Sequence, residues 1–308
     1  MNWLVLVAIA TLLDSARIFI DNYTSDYYFK GKDAVSQKFF YGYAILITAI
    51  PILIIHSGDI FSTSITTILL LILSGFMHGI SGIPYFKALE LDDSTNLGIF
   101  IQMAPILYLV LGCLFLGESF SAWQLVAIAV ILLAPILIVA TTRKRSRKIR
   151  LRAVFYSFIY VFIAVVSNLI FVQVSGSGDL SLLPEVGLIM VGKSIANLTI
   201  VYSIPKLRRR FKYVAKTSHY KVLRPMICNH LIGFIKEFAY RGALIAAPAV
   251  AIASAASDSV TPVVIFFMGI VLSIIWPNFG REKLNRKNVI VHLIATILVV
   301  TGIIILQF

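Results

Sequence analysis

The sequence predicts an all-α membrane protein, with ten transmembrane helices built from two inverted five-helix repeats. Three observations point there. Of its 308 residues, 59% are hydrophobic and 13% charged, with a mean hydropathy of +0.93. Soluble chains carry about 25% charged residues. Ten apolar stretches are each long enough to cross a bilayer, which takes about 20 residues at about 1.5 Å per residue. A local pattern near the end of the first half also returns near the end of the second. The net charge of +13 would suit nucleic acid, but the basic residues fall in short segments between apolar runs. That distribution fits cytoplasmic loops, and nucleic acid is excluded as a partner.

The spans are placed at 2–22, 34–55, 64–87, 95–117, 121–141, 152–174, 182–204, 225–247, 250–276 and 288–307. The longest loops, 142–151 and 205–224, are basic and leave no room for a soluble domain. Met1 and Asn2 provide no basic region before the first apolar run, so no cleaved signal peptide is expected. Cys113 and Cys228 lie in apolar segments and offer no disulfide or metal spacing.

The first span carries Asp14, Arg17 and Asp21 on one face. Arg17 can snorkel to the cytoplasmic rim. Asp14 lies deeper and reads either as the partner of Arg17 or as a proton carrier. In the third span Gly75, Gly79 and Gly82 allow close helix approach, with His78 among them. The fourth span holds Gln102 and then Pro105, a hinge candidate whose freed backbone groups would line a cavity. Pro262 is its counterpart in the ninth span, below a stripe of Ala249, Ala253 and Ser257 and beside Asp258, a further buried acid.

In the seventh span, residues 187–194 (GLIMVGKS) spell the phosphate-loop pattern GxxxxGK[ST]. Such a loop needs a strand, a helix and water. Inside an apolar span the match is a coincidence, but Lys193 remains a mid-span cation with Asn197 one turn away. The eighth span, Pro225 to Ala247, is the least apolar. It carries Asn229, His230, Lys236, Glu237, Tyr240 and Arg241. A charge at the centre of a lipid-facing helix costs roughly 2.5–3.5 kcal/mol, so these groups are expected to face a polar cavity or one another. Positions 230, 237 and 241 share one helix face. The plainer alternative is a Glu237–Arg241 pair that stabilises the helix. Lys193 and Glu237, on adjacent spans, are a candidate ion pair.

Loop charge sets the orientation. With the two chain ends on one side, the opposite side receives 22 of the 27 Lys and Arg. That side is therefore cytoplasmic, and both termini are expected outside the cytoplasm of a cell whose inner or plasma membrane holds the chain.

The repeat is the firmest large-scale signal. Residues 85–89 (YFKAL) precede a span with Pro105 and then Glu118-Ser-Phe-Ser-Ala-Trp-Gln124. Residues 240–244 (YRGAL) precede a span with Pro262 and then Glu282-Lys-Leu-Asn-Arg-Lys-Asn288. In each copy Glu is followed by an apolar residue at +2, Ser or Asn at +3, and Gln or Asn at +6. Two units follow, 1–141 and 152–308, joined by the basic linker 142–151. An odd number of spans per unit inverts the second copy, a recurrent transporter architecture. In its order and duplication this pattern resembles the EamA-like family of the drug/metabolite transporter superfamily. Two features depart from the family. The stretch before Glu282 is longer and more basic, and the loop charges put the termini outside.

The resemblance implies export of amino acids or similar metabolites. The residues themselves suggest a secondary transporter of a small polar metabolite, working by alternating access through a mid-membrane cavity. Asp14, Glu237 and Asp258 are candidate proton carriers, since buried carboxylates load and release protons near neutral pH. Lys193, Lys236 and Arg241 would hold an anionic or zwitterionic group, with Asn197, His230, Tyr240, His78 and Gln102 lining the cavity. Glu237→Gln is expected to abolish coupled transport while leaving expression intact. The alternative is an intramembrane enzyme or flippase acting on a phosphorylated lipid head group, which the acids among these helices disfavour. No cofactor, metal or catalytic set is expected. The partners are a small-molecule substrate and the bilayer, and the oligomeric state is left open, a homodimer included.

Overall fold

A computed structural model of the protein describes residues 2–28, 34–91, 104–142, 151–176, 178–205, 208–209, 212, 216, 220–275 and 286–305. Among the described residues there are eleven α-helices and no strand. They are α1 (Trp3–Tyr28), α2 (Ala34–Ile55), α3 (Ser57–Ser62), α4 (Ile65–Leu91), α5 (Ala104–Leu111), α6 (Ala122–Thr142), α7 (Leu151–Ser175), α8 (Leu182–Ser203), α9 (Tyr220–Ala246), α10 (Val250–Ile275) and α11 (Arg286–Ile305). Except for the short α3, which the sequence reading did not contain, these lie on the ten expected spans. Five of them contain a stretch long and apolar enough to cross a membrane: Trp3–Ile20, Ile65–Tyr85, Leu151–Ser175, Leu182–Ser203 and Val250–Leu272. Shorter apolar stretches lie in α2, α5 with its extension, α6 and α11. The charged α9 belongs to neither group.

Polar devices set the ends of α5 and α6. α5 widens into a π-helical turn, Gly112–Leu116, which Gly117 closes in the left-handed conformation at φ 67°. The repeated motif follows directly. Ser121 Oγ accepts from the Gln124 backbone N–H at 3.2 Å, while Gln124 Oε1 accepts from the Ser121 N–H at 2.9 Å. This reciprocal capping box starts α6. Glu118 reaches further, its Oε1 accepting the Val250 backbone N–H at 2.7 Å and so capping α10 from the first half of the chain. Burial pushes the Glu118 carboxyl up, and the Val250 N–H partly offsets this.

Small residues allow the helices to meet. In lipid, helix association depends on close van der Waals packing, because tails are as apolar as Leu. α4 lies along both α7 and α8. A Cβ on Gly75 would run into the Ile189 carbonyl, and one on Gly192 into the Ile72 carbonyl. The two glycines thus let α4 and α8 touch backbone to backbone. Gly192, like the whole of 187–194, is helical, and Ser194 Oγ donates to the Gly42 carbonyl at 2.6 Å. The letters of a phosphate loop here encode helix packing.

α9 lies along α1 and α2, with Leu6, Val7, Ala10, Ala239, Ala243 and Ala256 closing the seam around α1. α10 is central: residues 249–257 are all buried, the expected stripe of Ala249, Ala253 and Ser257 among them. The packing partners correspond when α1, α2, α4, α5 and α6 are matched in order to α7, α8, α9, α10 and α11. The pair α4–α7 answers to α9–α1, α4–α8 to α9–α2, and α1–α10 to α7–α5. The pairs α2–α8, α5–α10 and α6–α11 each join a helix to its own counterpart.

Candidate functional site

The centre of α9 gathers the charges. Glu237 is 5% exposed and bridges two cations. Its Oε2 lies 2.9 Å from Lys193 Nζ on α8, and its Oε1 lies 3.0 Å from Arg241 Nε one turn along α9. Both pairs considered from sequence are therefore present, on the same carboxylate. The Arg241 side chain is fully buried, with its guanidinium carbon 4.6 Å from the ring centroid of Phe171 on α7. A planar cation over a ring face gains from the ring quadrupole, most where water is absent. Neither terminal nitrogen of Arg241 has a hydrogen-bond partner. His78, on α4, is within electrostatic reach of Lys193, Glu237 and Arg241, and its Nδ1 is buried without a partner.

A second cluster joins α9 to α1. Asp14 Oδ1 sits 3.5 Å from both Arg17 Nη1 and Lys236 Nζ. Arg17 Nε donates to Asn229 Oδ1 at 3.2 Å, and Gly233 makes room for it, since a Cβ there would meet Arg17 Nε at 2.9 Å. Lys236 Nζ also lies 5.1 Å from the Tyr240 ring centroid. The helix thus shows two charged faces, one to α8, α7 and α4, the other to α1.

The remaining expected residues fall around these clusters. His230 Nε2 and Thr48 Oγ1 of α2 are 2.9 Å apart. Asn197 packs against Gly42 of α2, where a Cβ would lie 3.2 Å from its own. Asp258 Oδ2 accepts from Ser254 Oγ at 2.9 Å. Tyr240 packs in the same cluster as Tyr108 of α5 and the buried residues 250–253 of α10, which sets the charged helix against both. Pro105 is buried in the first turn of α5, and Pro262 lies inside the unbroken α10. Gln102 lies outside the described residues.

Sequence reasoning missed several polar partners. Asn168 Nδ2 of α7 donates to the Tyr108 hydroxyl at 2.6 Å, and its Oδ1 is buried without a partner. Glu185, near the start of α8, is 2% exposed and accepts from Ser175 Oγ at 2.7 Å. A polar residue in the middle of a span, as Asn168 is, was a usable signal. Nothing singled out Phe171 among 21 phenylalanines.

The arrangement can hold an anion, exchange ion-pair partners between helices, or carry a proton. Among the described residues no group of His, Cys, Asp and Glu could hold a metal. Residues 30–140 match the sequence model of the EamA-like transporter family. That match points to a membrane transporter of the drug/metabolite type. A solved crystal structure of a protein is similar over 98% of this chain and 95% of its own, with a TM-score of 0.68 at 13% identity. At that identity the likeness shows the fold alone. No curated protein matches the sequence at a significant level.

Proposed function

We propose, starting from the transporter-family match over 30–140, that the protein is a secondary active transporter exporting a small polar metabolite such as an amino acid. The units 1–141 and 152–308 form two inverted halves that alternate access to a site between them, with the linker 142–151 cytoplasmic and both termini outside. The correspondence of packing partners supports the halves, because exchanging them carries α4–α7, α4–α8 and α1–α10 onto α9–α1, α9–α2 and α7–α5. The observation that carries the functional reading is the buried Lys193–Glu237–Arg241 triad. Ionisable groups at membrane depth are costly and mark substrate or ion paths. The triad joins α8 to α9, so a movement of one against the other must break or re-form a 2.9 Å ion pair. A bound solute that competes for the same charges would couple its own binding to that movement.

Asp14, Glu237 and Asp258 are the proton-carrier candidates, and Pro105 and Pro262 the hinges. The test is flux of radiolabelled polar metabolites into proteoliposomes, with and without an imposed proton gradient. Uptake above that of empty liposomes, accelerated by the gradient, is expected. Release of a modified lipid with no solute flux would overturn the reading in favour of the enzyme or flippase.

A further inference from the structure

We propose that Arg241 is the substrate receptor of this site, and that its terminal nitrogens grip a carboxylate in a two-pronged contact. This rests on the transporter reading and narrows it to one cation and one chemical class.

Three cations converge on the middle of α9, and two already have acceptors. Lys193 is 2.9 Å from Glu237. Lys236 has Asp14 at 3.5 Å and the Tyr240 ring. Arg241 spends only its Nε, on Glu237, and keeps both terminal nitrogens without an acceptor in a fully buried position. A buried donor left unmade costs about 1–3 kcal/mol, and more when charged. A protein that needed only a brace for Glu237 would do better with a shorter cation. The surplus donors form the planar fork that fits the two oxygens of a carboxylate.

Charge leads to the same class. The triad itself holds two cations and one anion, so a bound carboxylate would balance its own contacts; Glu185, which accepts from Ser175 Oγ, is a further acid within electrostatic reach of Arg241. Phe171 holds the guanidinium over its ring, 4.6 Å from the centroid, and so limits where the ligand can approach. Asn168, one turn before Phe171 on α7, ends in an Oδ1 that is also buried without a partner. That oxygen suits a ligand carrying a hydrogen-bond donor beside its carboxylate. The fork is sealed in this conformation, so loading requires the helices around Arg241 to part.

The experiment uses purified full-length protein and matched probes: L-phenylalanine, L-glutamine and L-lactate, each against its primary amide. Thermal stabilisation is read for wild type, Arg241→Lys, which keeps the charge and loses the fork, and Arg241→Gln. In wild type at least one carboxylate should stabilise the protein at a concentration about 10–100-fold below its amide, the factor expected for charge-assisted hydrogen bonds. Arg241→Lys should erase that preference while melting near the wild-type temperature without ligand. Equal stabilisation by acid and amide, a preference that survives in Arg241→Lys, or no response to any probe would overturn the proposal. So would stabilisation by inorganic phosphate alone. Solute flux measured in parallel separates the two readings: flux of solutes without a carboxylate preference keeps the transporter and removes the Arg241 receptor.

Discussion

The two charged clusters of α9 have the same composition, two cations around one carboxylate, and differ in almost everything else. Around Glu237 the contacts are 2.9 and 3.0 Å and the Arg241 side chain is fully buried. Around Asp14 both contacts are 3.5 Å, and the side chains of Arg17, Asp14 and Lys236 are 26%, 32% and 20% exposed. Exposure decides what such a cluster is worth. On the transporter reading the outer cluster opens to the aqueous path between the halves, and a pair open to water contributes about 0–1 kcal/mol. A buried pair stabilises little in total, yet removing one member strands the other at a cost of about 3–5 kcal/mol. The inner cluster is therefore intolerant of loss, and the outer one is tunable.

Glu237→Gln should show the largest effect, about 3–5 kcal/mol of destabilisation, because it strands both Lys193 and Arg241. Fluorescence-detected melting in detergent measures it. The sequence alone suggested that this variant would express normally and lose only coupling; the double contact changes the first half of that expectation. Lys193→Met combined with Glu237→Gln removes one charge of each sign and should recover at least half of the lost melting temperature. A double variant no better than the single one would show that the pair is not the source of the loss. Lys193→Met alone leaves Glu237 on Arg241 and should cost roughly 2 kcal/mol, with weakened solute binding. Asp14→Asn should change stability by less than about 1 kcal/mol, and that small loss should shrink further in molar salt. If Asp14→Asn proved as damaging as Glu237→Gln, the contrast between the faces would collapse.

Much of the architecture was legible because membrane spans announce themselves by composition. The span set at 34–55 ends where α2 does, and 250–276 differs from α10 by one residue. The short α3 was missed because Ser57–Ser62 is too brief and polar to register as a span. Lys193 and Glu237 could be paired in advance since both are charges near mid-span on neighbouring spans. The contact of Arg241 with Phe171 could not, because it depends on the rotation of α7 about its axis, and aromatic residues abound on every face. Glu118 is the instructive failure. Read as part of a repeated motif, it turns out to cap α10, a role that sequence spacing cannot reveal when 132 residues separate donor from acceptor.

Whether the residues around Lys193 line a path between the halves is tested most directly by labelling. With Cys113 and Cys228 replaced by Ser, Asn197→Cys puts a thiol one turn from Lys193. A membrane-impermeant thiol reagent is then applied separately from each side of oriented vesicles. Labelling from both sides, in proportions that shift with the imposed gradient, is the predicted result. Labelling from neither side, with reaction only toward a lipid-soluble maleimide, would contradict a path through these helices.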